Sequence, residues 1–102
     1  MEEKRECCHT TKSKERTEKE YKDLIHRLNR IEVQVRGIKK MVESDTYCTD
    51  ILIQVSAVNA ALNSFSKVLL GNHIRTCVAE DIRQGKEETV EELVATLQKL
   101  MK

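Results

Sequence analysis

Apolar positions recur along this chain at alternating spacings of three and four, the repeat of a helix that packs along one side. The first run is Tyr21, Leu24, Leu28, Ile31, Val35, Ile38 and Val42, which predicts a helix over about residues 15–43. Ser44, Asp45 and Thr46 interrupt it with side chains suited to capping, and a second run follows through Cys48, Ile51, Val55, Val58, Leu62, Phe65 and Leu69. This second helix is predicted to end near residue 80, before the polar stretch Arg83-Gln84-Gly85-Lys86. It also carries Leu52, Ala57, Ala60, Ala61, Val68 and Leu70, an apolar face too wide for one partner helix. Thr89-Val90-Glu91-Glu92 has the form of a capping box and predicts a third, short helix bearing Val90, Leu93, Val94, Leu97, Leu100 and Met101. Residues 1–18 are polar and lack apolar periodicity, so they are expected to form a mobile tail ahead of a single domain over residues 19–102.

Composition agrees with an all-α fold. The 102 residues include no Pro, three Gly and three aromatics (Tyr21, Tyr47, Phe65), so the chemistry of strands and tight turns is almost missing. One long hairpin and one short helix enclose little volume, and a domain of this size is marginal unless something covers its apolar face. An antiparallel dimer with a four-helix bundle core meets that need. No apolar run approaches the roughly 18 residues of a membrane span, and the first residues lack the apolar core of a signal peptide. The expectation is a cytoplasmic protein with no membrane partner. The formal charge of +1 conceals an imbalance: residues 1–40 hold 12 Lys/Arg against 8 Asp/Glu, and residues 41–102 hold 6 against 9. The front half is therefore the candidate face for a polyanion, although mixed charge on a helix is most often a solvated surface.

The candidate chemistry lies in Cys48 and a His73-x-x-x-Cys77 pair. His73 and Cys77 are neighbours on one helical face, a spacing that lets two side chains hold one ion. Cys48 lies 25 residues before His73, roughly 37 Å along a continuous helix at about 1.5 Å per residue. If all three bind one metal, a second, antiparallel copy of the chain must supply Cys48. Each residue also has a plainer reading: Cys48 sits on the apolar stripe and could be a small core side chain, and the His/Cys pair could be a surface pair. A disulfide framework is disfavoured by the missing export signal and by the distance between Cys48 and Cys77. Cys7, Cys8 and His9 form a compact cluster, read as adventitious thiols or as auxiliary ligands for copper or zinc, and His26 is read as a surface residue. No nucleophile–base pair, phosphate loop or pair of acids stands out, which argues against an enzyme.

Arg27-Leu28-Asn29-Arg30-Ile31-Glu32-Val33-Gln34-Val35-Arg36-Gly37-Ile38, Met41-Val42-Glu43, Tyr47-Cys48-x-Asp50-Ile51-Leu52-x-Gln54-Val55-Ser56-Ala57-Val58-x-Ala60-Ala61-Leu62 and His73-x-x-x-Cys77-Val78 together resemble the copper-sensing operon repressor family, the CsoR-type regulators. The resemblance covers about residues 22–101. It implies an all-α bacterial repressor without a helix-turn-helix, an antiparallel dimer that pairs into a homotetramer, and binding to operator DNA in the metal-free state. It further implies a trigonal Cu(I) site made by Cys48 of one protomer with His73 and Cys77 of the other, and outer roles for Tyr47 and Glu92 in hydrogen bonding toward the His73 imidazole. Two thiolates and an imidazole also suit a soft monovalent ion on chemical grounds. Nickel and cobalt relatives add a ligand near the start of the first helix, where gapless counting places Arg16, which cannot coordinate a metal. Persulfide sensors keep the cysteines without the histidine.

For DNA, the family pattern points first to Arg27, then to Arg30 and Arg36, with Lys39 and Lys40 beside them. Lys22, Arg75 and Gln34 are further candidates. Their expected work is phosphate neutralisation, with affinity falling as salt rises. The implied function is release of operator DNA on Cu(I) binding, which switches on copper-resistance genes, with a copper chaperone as a potential metal donor. The alternatives are a thiol, persulfide, nickel or zinc sensor of the same family, or a metal carrier that needs no DNA.

Overall fold

The computed structural model describes residues 16–101, whose regular elements are all helical. Helix α1 is Glu18–Glu43 and α2 is Cys48–His73; a π-helical turn follows at Ile74–Val78, then the short α3, Ala79–Arg83, and finally α4, Glu88–Leu100. The Cys7, Cys8 and His9 cluster and most of the expected tail lie outside the described residues. Two compact units divide the chain, one of residues 17–69 and one built on residues 70–101. Among the described residues no helix is long and apolar enough to cross a membrane.

In the first unit, α1 begins at Glu18, slightly later than the apolar period predicts, because Thr17 caps it. The Glu20 amide donates to the Thr17 hydroxyl at 3.2 Å and the Thr17 amide donates to the Glu20 carboxylate at 3.3 Å, a complete capping box. The helix stops through its backbone. Asp45 takes a left-handed φ of 55°, its amide donates to Val42, and the Thr46 amide donates to Met41, the paired bonds of a Schellman motif. The Ser44-Asp45-Thr46 segment thus closes α1. The start of α2 is set by Tyr47, whose carbonyl accepts from the amides of Asp50 and Ile51.

The Arg27 guanidinium donates to the Ser64 hydroxyl at 3.1 Å, tying α1 to α2. Arg27 lies 17 residues before Ser44 and Ser64 lies 17 after Tyr47, so the two helices run antiparallel about the turn between them. Leu24, Ile31 and Val58 are the buried side chains of this unit. Much of the predicted seam is less covered: Tyr21, Leu28, Val35 and Val42 on α1 and Leu62 on α2 are exposed, as are Leu52 and Ile53 beside it, while Ile38, Ile51, Val55, Phe65 and Leu69 are half-buried. The wide face expected to be buried on the second helix is therefore only partly covered by the chain itself.

The second unit departs from a uniform helix to residue 80. Past His73 the winding loosens, and the Ala79 amide donates to the Ile74 carbonyl five residues back. Thr76 contributes locally, since its hydroxyl donates to the Asn72 carbonyl at 2.7 Å and so competes for an acceptor of the ordinary ladder. Helical winding resumes in α3 and ends in a second Schellman motif, with Gly85 at φ 77°, its amide donating to Ile82 and the Lys86 amide to Asp81. The predicted box at Thr89 does not form. The cap position is Glu87, which makes no side-chain cap hydrogen bond, and Thr89 instead donates its hydroxyl to the Asp81 carboxylate at 2.7 Å. A carboxylate brought by the preceding helix outcompetes the local motif.

These ends can be tested. Gly85→Ala places a Cβ in the left-handed region and is expected to cost about 1 kcal/mol in urea unfolding at fixed protein concentration. Thr17→Ala, which removes the box, is expected to cost about 1 kcal/mol in the same assay, and an unchanged midpoint would show that α1 does not depend on it.

Candidate metal centre

Cys48 is the first residue of α2 and is exposed, and Tyr47, immediately before it, is 71% exposed. Both belong to the unit of residues 17–69. His73 is the last residue of α2 and is half-buried. Cys77 sits in the π-turn, 2% exposed, with its sulfur 3.8 Å from the Thr76 hydroxyl. His73, Cys77 and Glu92 all fall in the unit of residues 70–101. The widened turn corrects the expectation of a plain α-helical face, yet it leaves His73 and Cys77 four residues apart on about one turn. Among the described residues no three His, Cys, Asp or Glu side chains gather as a group able to hold a metal.

Arg75, between the two, folds back along the helix. Its Nη2 donates to the Asn72 side-chain oxygen at 2.9 Å, and the guanidinium lies over Gly71, where an added Cβ would stand 3.3 Å from Nη1. Gly71 leaves that space open, and the cation is held by Asn72. Asp81 was not among the residues singled out from sequence, and Thr89 was read only as a helix cap. Asp81 is 1% exposed and Thr89 5% exposed, and they are hydrogen-bonded to each other one turn beyond Cys77. The available indication was a carboxylate four residues after Cys77, in register with the ligand face.

The basic residues expected to contact DNA do not form one patch. Arg27 and Arg30, with Gln34, Ile31, Ala61 and Ser64, line an open depression of about 160 Å³ between α1 and α2. Arg27 is held there by Asp23 at 3.2 Å and by Ser64. Arg36 lies nine residues after Arg27, about two and a half turns, and so projects from the opposite side of α1 together with Lys39 and Lys40. Arg30, Arg36, Lys39 and Lys40 are all exposed.

An all-helical chain that joins a histidine–cysteine turn to cationic helix faces has the parts of a metal-responsive DNA-binding regulator. A family model described as a metal-sensitive transcriptional repressor matches residues 20–99, and the chain belongs to that family. It is 46% identical over 88 residues to the copper-sensing transcriptional repressor CsoR of Bacillus subtilis (strain 168), covering 85% of this chain and 87% of the relative. Its fold is similar to the crystal structure of the copper-sensing repressor CsoR with Cu(I) from Geobacillus thermodenitrificans NG80-2. The TM-score is 0.81 at 45% identity, over 86% of this chain and 93% of that one. The nickel-responsive transcriptional regulator InrS is also similar, with a TM-score of 0.66 and 35% identity over 76% of this chain and 89% of its own.

Proposed function

We propose that this protein is a Cu(I)-responsive transcriptional repressor that binds operator DNA when metal-free and releases it when Cu(I) binds, derepressing copper-resistance genes. The observation that carries the choice of metal is the donor set: two thiols, Cys48 and Cys77, and the His73 imidazole. The fold is shared with a nickel-responsive regulator, so it does not choose the ion. Soft thiolates at low coordination number favour Cu(I) over harder divalent ions. Arg16, at the position where the resemblance puts an additional nickel ligand, presents only N–H donors and has no lone pair to offer a metal.

Among the described residues no three donors come together, and much of the apolar seam is exposed. Both observations support an antiparallel dimer in which Cys48 of one protomer meets His73 and Cys77 of the other, with the dimer pairing into a tetramer. Tyr47 and Glu92 serve the same site from outside, as hydrogen-bonding partners toward the imidazole nitrogen that faces away from the ion. The domain is residues 19–102 and acts as a cytoplasmic regulator rather than a catalyst, with a copper chaperone as the candidate metal donor. Arg27 and Arg30 are the leading phosphate contacts, because they share a polar depression. Arg36, Lys39 and Lys40 can engage DNA only from another face of α1.

Release requires that the Cu(I)-loaded form bind the operator less well. Couplings of about 1–3 kcal/mol correspond to roughly 5- to 150-fold in affinity, and by linkage the operator must weaken Cu(I) binding by the same factor. Anaerobic titration of the operator complex is expected to show release by Cu(I) and none by comparable Ni(II) or Zn(II). His73→Ala is expected to abolish the response. If oxidants rather than Cu(I) release the DNA, and His73→Ala preserves that response, the protein is a thiol sensor instead. Failure of the apo protein to bind its own upstream DNA at low salt favours a metal carrier.

The cross-protomer arrangement has a separate test. Neither Cys48→Ala nor the double variant His73→Ala, Cys77→Ala can assemble a site alone, but a mixed dimer of the two rebuilds one of its two sites. Tight Cu(I) binding by the mixture, measured against a competing chelator, is the expected result; no gain over either parent would show that the ligands do not come from two chains. For the DNA faces, Arg27→Ala is expected to flatten the dependence of log affinity on log salt by about one for each copy that touches a phosphate. Arg36→Ala is expected to do less.

A further inference from the structure

The buried side chains of residues 70–101 are Cys77, Val78, Asp81 and Thr89, and two of them are a carboxylate and its hydrogen-bond donor. A buried carboxylate is costly to keep without hydrogen bonds, and an apolar pair of similar volume would pack there without that cost. What the polar pair adds is direction. The Thr89 hydroxyl reaches Asp81 Oδ2 at 2.7 Å, and this fixes which residue of α4 faces α3 and at what height. Asp81 follows Cys77 by four residues, so it sits one turn along from the buried thiol. Thr89 is the second residue of α4, three before Glu92. The Thr89–Asp81 hydrogen bond therefore joins the segment that carries His73 and Cys77 to the helix that carries Glu92. The start of α4 has no side-chain cap of its own from Glu87, so its first turn takes this polar anchor from α3 instead.

We infer that Asp81 and Thr89 are positioning residues for the metal response: their hydrogen bond makes α4 follow the ligand-bearing turn, so that a change at His73 and Cys77 is passed to the C-terminal helix. The inference rests on the copper-repressor reading above. It makes the pair matter for the coupling between metal and DNA rather than for holding the ion. Neither residue belongs to the proposed donor set, and Thr89 carries no charge with which to meet DNA.

The test measures operator affinity with and without Cu(I), and Cu(I) affinity by chelator competition, in full-length Thr89→Val, Thr89→Ala and Thr89→Ser. Val keeps the shape and loses the donor, Ala loses both, and Ser restores the hydroxyl. The expected result is that Val and Ala bind Cu(I) within about threefold of wild type while the factor by which Cu(I) weakens operator binding falls about tenfold. Ser is expected to retain that factor. Coupling within about twofold of wild type in a folded Val or Ala variant overturns the inference. So does a Ser variant as uncoupled as Val, since the hydroxyl would then not be the operative group. Should Val fail to reach wild-type helicity by circular dichroism, the smaller Ala and the Ser rescue decide by the same criteria. A wild-type protein that ignores Cu(I) on DNA is a different outcome and overturns the copper reading itself.

Discussion

Apolar surface that one chain cannot cover is the constraint from which the rest follows. The hairpin of α1 and α2 has long stripes at helical spacing, yet only Leu24, Ile31 and Val58 are buried in that unit, while Leu28, Val35, Val42, Leu52 and Leu62 are left exposed. Each such side chain gains about 1.5–3 kcal/mol when moved from water into a packed interior, so a row of them is a strong drive toward association. Scattered exposed apolar residues need no explanation, but a continuous stripe along two paired helices does. In a small helical domain, association then becomes part of folding. On the proposed reading, a ligand site divided between protomers would come with little extra cost, because the exposed apolar stripe already favours a partner.

The same arrangement explains why the proposed donors fall in different surroundings. Cys48 lies at an exposed helix start, next to an exposed Tyr47, whereas Cys77 is buried in a turn held by backbone and hydroxyl contacts. On the proposed reading, a half-site of His73 and Cys77 would limit the ordering left for the moment of binding, and the exposed Cys48 would be the half that a partner delivers. Rigid support around a ligand lowers the entropy lost when it engages its ion.

The helices and the unpartnered seam were legible in the sequence because both are statements about period. Alternating three and four spacing marks a helix face whatever that face packs against, and the width of the α2 face already signalled more than one neighbour. The helix ends were less legible. Thr17-Glu18-Lys19-Glu20 and Thr89-Val90-Glu91-Glu92 carry the same local pattern, yet the first forms the box and the second does not. The Thr17 hydroxyl donates to Glu20, inside its own box, while the Thr89 hydroxyl donates to Asp81, eight residues earlier. Tertiary contacts decided between two identical motifs. The π-turn had still less to announce it, since Thr76 reads as an ordinary helical residue until its hydroxyl is seen on the Asn72 carbonyl.

The basic residues follow the same logic of period. Arg27, Arg30 and Arg36 read as one cationic group when counted along the chain, but helical winding separates Arg36 from Arg27 by about half a turn and from Arg30 by about a third. A single straight helix cannot lay both groups on one row of phosphates. If all of them meet DNA, then different copies of α1 must present different faces, and the relative placement of those copies becomes the variable that metal can alter. A repressor could respond to an ion in this way under the proposed reading: the operator would sense the spacing of cationic faces, and the assembly would fix that spacing. Control of DNA binding would then lie in the packing of the helices rather than in any one recognition element, which is where the proposed site bridging two protomers would have the most leverage.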